Sequence, residues 1–150
     1  MPDIFYFIRK EEDMGPDELE IEALTDNLPK VLEFIDTKLE ELECSMKAQM
    51  QIDIAVEEIF VNIANYAYAP EVGMATIRIE ADESPTAVKI TFIDKGVPYD
   101  PLKKDDPDVT LSVEERQIGG LGIFMVKKSM DDMLYEYKDG QNILTIVKQL

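Results

Sequence analysis

The segment "AVEEIFVNIANYAY", residues 55–68, carries Glu58, Asn62 and Tyr66 at four-residue intervals, a spacing that stacks them on one face of a helix. An Asn amide oxygen is a hard, neutral ligand suited to Mg²⁺, which prefers oxygen and keeps several waters while bridging phosphates. A Glu one turn away can accept the proton of an attacking hydroxyl. The same column also fits the solvated face of an amphipathic helix.

Two further polar features follow in chain order. In "FIDKGVPYDP", residues 92–101, Asp94 closes an apolar strand and Gly96 permits a turn that a side chain would obstruct. A carboxylate held there can accept a hydrogen bond from an exocyclic amine such as that of adenine, with Gly96 letting a planar ring approach. An ordinary strand-to-loop turn uses the same residue types. In "GGLG", Gly119, Gly120, Leu121 and Gly122 lead into a helix, and free amides at a helix N-terminus bind phosphate oxygens. Loop flexibility is the plain alternative. The chain has no G-x-x-x-x-G-K-[ST] P-loop, and no strand directly precedes the glycines as a dinucleotide motif requires.

The elements that must position these groups are legible from periodicity. "ELEIEAL", 18–24, alternates and reads as a strand with one wet face. "TDN" then offers helix-capping side chains, and Leu28, Val31, Leu32, Phe34, Ile35, Leu39 and Leu42 keep a helical period to about Cys44. A second helix runs from about Lys47 to Ala67, with Ile52, Val56, Ile59 and Ile63 as its core stripe beside Ala55 and Phe60, and Pro70 stops it. "MATIRIEA" and "AVKITFID" alternate around "DESPT" as an antiparallel hairpin. A long polar loop from about Gly96 to Ile118 has the length of a functional lid. After the glycine-led helix, "MLYEYKDGQNILTIVK" forms a hairpin around Asp139-Gly140. The order β-α-α-β-β-lid-α-β-β predicts an α+β, two-layer α/β sandwich, its mixed and mostly antiparallel sheet carrying the helices on one face. "IFYFI" near the start could add an edge strand.

Composition narrows the chemistry. The 150 residues, 45% of them hydrophobic, suit one domain with an adequate core. No run of about 18 uncharged apolar residues occurs and the start lacks a secretory cleavage site, so a soluble, cytoplasmic protein without membrane contact is expected. The single Cys44 cannot form an internal disulfide and is expected as a small buried filler; the lack of histidine excludes a thiol-imidazole nucleophile and a Cys/His zinc site. With 15 basic against 32 acidic residues and a formal charge of -17, direct nucleic-acid binding is disfavoured, whereas a basic protein surface or a metal-bridged anion fits.

Together, "EEIFVNIANYAY", "DKGVPYDP" and "GGLGIFMVKKSMD" resemble the N box and the two glycine boxes of the anti-sigma factor serine/threonine kinases. These kinases are a branch of the GHKL, or histidine-kinase-like, ATPase superfamily. The resemblance implies a Bergerat-type ATPase domain over 18–150 behind an N-terminal extension, 1–17. It implies ATP and Mg²⁺ as cofactors, with Glu58 as general base and Asn62 as the Mg²⁺ ligand. It also implies that Asp94 reads the adenine amine beside Gly96, that Gly119, Gly120, Leu121 and Gly122 line the triphosphate, and that Tyr66 belongs to the nucleotide site. The lid would span about Leu102 to Gln117 and contain Lys103, Lys104 and Arg116, any of which could offset phosphate charge. Tyr66 stands where close relatives often carry histidine, and Pro98 replaces a glycine frequent in other branches, which stiffens the entry to the lid.

The function so implied is phosphorylation of a STAS-domain anti-anti-sigma protein, compatible with sequestration of a sigma factor and with homodimerisation. The lack of histidine argues against a complete histidine kinase. The alternative is a nucleotide-dependent protein-binding module without significant kinase activity, and Glu58 favours the enzyme, since a pure ATP sensor needs no base.

Overall fold

The computed structural model describes residues 17–81, 87–103 and 120–150, and of Gly120 and Leu121 only the backbone. The N-terminal extension through residue 16, with its "IFYFI", and the lid from residue 104, with Lys104, Arg116 and Gly119, lie outside the described residues.

Strand β1 (Asp17–Glu22) leads through a 3-10 turn (Thr25–Asn27) into helices α1 (Leu28–Glu41) and α2 (Met46–Asn62), the latter continued by a π-turn (Ile63–Ala67). Strands β2 (Met74–Ala81) and β3 (Ala87–Asp94), a 3-10 turn (Pro101–Lys103), helix α3 (Gly120–Ser129) and strands β4 (Asp132–Lys138) and β5 (Gln141–Gln149) complete the α+β fold. The strands lie in the order β1-β2-β3-β5-β4, and each of these pairings is antiparallel. Among the described residues no helix is long and apolar enough to cross a membrane.

Alternation along the strands builds the core in rows. Ile77, Phe92 and Leu144 are aligned across β2, β3 and β5, and Ile79, Ile90 and Ile146 form the next row. All six are buried with Val31, Ile35 and Leu39 of α1 and with Ile52, Ala55, Val56, Ile59 and Phe60 of α2. Burying one such large side chain contributes about 1.5–3 kcal/mol. The expected stripe of α2 is therefore the one that packs. Asp139 (φ 55°) and Gly140 (φ 77°) form the tight turn between β4 and β5, where two left-handed residues match the twist of the paired strands.

Local details depart from the sequence reading. "TDN" does not cap α1: Asn27 instead donates its side-chain amide to the Glu22 carbonyl at 2.9 Å, which ties the helix entry back to β1. Ser45 caps α2 by accepting from the Ala48 amide at 3.1 Å. Cys44 is only partly buried, because it sits at the turn between the two helices rather than within either stripe.

Asp36 on α1 and Asp53 on α2 each bury one carboxyl oxygen that has no donor among the described residues. Burial, followed by the hydrogen bond and the charge of Asp36, pushes Asp53 up to about 7. The folded chain thus holds a proton over a range where an unfolded Asp has lost it, so this pair's contribution to stability is lost as pH rises through about 7. We expect urea unfolding to show wild type losing stability relative to Asp53→Asn between about pH 5 and pH 8, because the amide does not ionise. Parallel pH dependences in the two proteins would show that the pair does not share a proton.

Candidate functional site

The C-terminal half of α2 delivers the first part of the site. Asn62 donates its side-chain amide to Glu58 Oε2 at 3.2 Å, the pairing expected of residues one turn apart. With its nitrogen committed to Glu58, Asn62 Oδ1 has no donor among the described residues. A neutral oxygen of this kind fits a Mg²⁺ that completes its shell with water and phosphate. Tyr66 falls in the π-turn and is 65% exposed, with no hydrogen bond to the Glu58–Asn62 pair.

The second part lies at the end of β3. Asp94 is 6% exposed, and its Oδ1 accepts from the Gly96 amide and from the Asn142 side-chain amide, both at 2.9 Å. Gly96 is required for a backbone reason. A Cβ there would fall 2.2 Å from the Ala67 carbonyl oxygen, to which the Val97 amide donates at 2.9 Å. Tyr68 makes the same join a second time: its hydroxyl donates to the Met74 carbonyl at 2.6 Å and accepts from the Lys95 amide at 2.7 Å. Burial raises the Tyr68 phenol, with the Lys95 amide opposing and Asp94 assisting, which keeps it a donor.

The third part is the start of α3. A Cβ on Gly122 would lie 2.1–2.3 Å from the carboxyl atoms of Glu58, so α3 begins directly against the proposed base. Three motifs far apart in sequence therefore meet. Between them lies a cavity of about 480 Å³ bounded by Asn62, Asp94 and Tyr66 and otherwise largely by apolar side chains such as Ile59 and Phe92, a size and character typical of small-molecule sites. Lys103 is exposed at the lid entry.

Among the residues of this wall that sequence reasoning missed are two polar ones from the last hairpin, Asn142 and Tyr135. A signal did exist for the first. Asn142 shares the inward parity of Leu144 and Ile146 on β5, and is 6% exposed. A polar residue in an apolar series needs partners of its own.

Residues 21–148 match the family described as the histidine kinase-like ATPase domain. The serine/threonine-protein kinase BtrW of Bordetella bronchiseptica is 26% identical over 102 residues, 68% of this chain and 71% of that protein. The serine-protein kinase RsbW of Bacillus cereus is 30% identical over 95 residues, 61% of this chain. The chain spans 58% of the length of that relative, and of the RsbW of Bacillus thuringiensis, also 30% identical over 95 residues.

The two glycines differ in what a methyl group would meet, and this separates their roles. Gly96→Ala pushes on backbone and is expected to cost about 1–3 kcal/mol in urea unfolding. In Gly122→Ala the nearest atoms belong to the movable end of Glu58 and the change adds a better helix former, so its unfolding midpoint should equal or exceed that of wild type. Equal loss in both variants would contradict this contrast.

Proposed function

Because this chain belongs to the histidine kinase-like ATPase domain family, we propose that it is a Mg²⁺- and ATP-dependent protein serine kinase acting on a STAS-domain anti-anti-sigma protein. The observation that carries the reading is that one cavity is walled by both Asn62 and Asp94, while Asn62 is hydrogen-bonded to Glu58 at 3.2 Å. The residues read as metal ligand and amine acceptor thus line one nucleotide-sized space, and the residue read as the base is hydrogen-bonded to the first of them. The printed names of the relatives, serine-protein and serine/threonine-protein kinases, support the same chemistry.

In this reading Asp94 accepts a hydrogen bond from the adenine amine, and the backbone amides opening α3, from Gly120 to Gly122, face the triphosphate. Asn62 Oδ1 contributes to holding Mg²⁺, which when bound offsets the charge of the phosphate oxygens. Glu58 takes the proton of the partner's serine hydroxyl. The serine oxygen then bonds to the γ-phosphorus as the bond to the β-phosphate oxygen breaks, and ADP leaves. The Glu58–Asn62 hydrogen bond orients the base, and Gly122 leaves room for its carboxylate. The protein works in the cytoplasm, and phosphorylation of its partner leaves it free to hold a sigma factor.

Intact-mass analysis of a STAS-domain protein encoded beside this one, incubated with Mg²⁺ and ATP, tests the reading. Wild type is expected to add one phosphate. Glu58→Gln, which can still accept from Asn62, should slow transfer by about 10²–10⁴-fold with ATP binding retained. Asn62→Ala should abolish the Mg²⁺-dependent part of nucleotide affinity and keep the fold. ATP binding without phosphate on the partner would replace the kinase by a nucleotide-dependent binding module.

A further inference from the structure

Asn142 faces Asp94 directly across the β3–β5 pairing and is the most connected side chain of the cavity wall. Its amide nitrogen donates to Asp94 Oδ1 at 2.9 Å, to the Val97 carbonyl at 2.9 Å and, at the limit of a hydrogen bond, to the Gly96 carbonyl at 3.5 Å. Its oxygen accepts from the Tyr99 amide at 3.0 Å and from the Tyr135 hydroxyl. Burial is the largest influence on Tyr135 and holds its phenol in the protonated, donating form.

These partners leave the Asn142 amide one orientation. The Tyr99 amide is an obligatory donor and the Val97 carbonyl an obligatory acceptor, so flipping the group would set oxygen against oxygen and nitrogen against N–H. Asn142 must therefore present a donor to Asp94. Asp94 Oδ1 is then occupied twice, by Asn142 and by the Gly96 amide, and Oδ2 has no donor among the described residues. The carboxylate stands at the wall as an acceptor with one unengaged oxygen.

We propose that Asn142, oriented by Tyr135, is a positioning residue that keeps Asp94 a pure acceptor and so makes the pocket select a 6-amino purine over a 6-oxo purine. The inference rests on the nucleotide-binding reading above and adds to it the origin of base selectivity. A 6-amino group donates to Oδ2, whereas a 6-oxo group would face it lone pair to lone pair. The sequence-distant hub on β5, rather than the glycine-box loop alone, is what holds that polarity.

The test compares ATP with ITP, which differ at this edge of the base, by titration calorimetry on wild type, Asn142→Asp and Tyr135→Phe, with melting curves as a check on folding. Wild type should prefer ATP by roughly tenfold or more, consistent with the loss of a charge-assisted hydrogen bond. Asn142→Asp replaces the donor by a second carboxylate. Its ATP preference should collapse, because Asp94 Oδ1 then lacks the fixed donor that sets the polarity of the carboxyl toward the base. Tyr135→Phe should reduce the preference a few-fold at unchanged melting temperature. A merely structural Asn142 would weaken both nucleotides alike, so an unaltered ATP:ITP ratio in both variants beside a selective wild type overturns this inference alone. A wild type that binds neither nucleotide overturns the nucleotide-binding reading, and the inference with it.

Discussion

The approach of the 96–97 backbone to Ala67 is the constraint on which the rest of the site depends. Gly96 has no space for a Cβ, and the Val97 amide donates to the Ala67 carbonyl, so the end of β3 is bolted to the end of α2. Asn62 lies shortly before one side of that join and Asp94 shortly before the other, each on a regular element. Their separation is thus inherited from a helix and a strand rather than from a loop, which is what a precise polar site requires. The π-turn at Ile63–Ala67 belongs to the same join. A π-turn is rare in helices and concentrates at functional places, and here it carries the carbonyl that the loop docks on.

Buried carboxylates are handled in two opposite ways in this chain. Asp94 is met by donors, from Gly96 and Asn142, and Asn142 is itself held by Tyr99 and Tyr135. Asp53 is met by another carboxyl and takes up a proton. A buried negative group is tolerated when hydrogen bonds replace its hydration, and otherwise neutralises. In a chain with a formal charge of -17, the first solution confines an open acceptor to the cavity wall, and the second lowers the negative charge buried between α1 and α2.

Much of the architecture was legible because it is local. Period-two runs marked Ile77, Ile79, Ile90 and Phe92 as one buried face, and the helical stripe of Ile52, Val56, Ile59 and Ile63 packed as its spacing required. Asp139-Gly140 made its turn because few other pairs accept two positive φ angles. Asn27 misled because its capping chemistry is equally served by the Glu22 carbonyl, and the choice depends on where β1 ends relative to α1. Cys44 misled for a similar reason, since its burial depends on the angle at which the chain leaves α1.

What the sequence by itself determined about this protein is therefore the set of elements, the faces they bury, and the three motifs that carry polar chemistry, because helical and strand periods are properties of neighbouring residues. Tertiary structure alone decided the contacts between them. Gly122 touches Glu58 only because α3 packs on α2, and Asn142 reaches Asp94 only because β5 inserts between β3 and β4 in an antiparallel register. The sheet order sets which side chains become neighbours, and no local period encodes it.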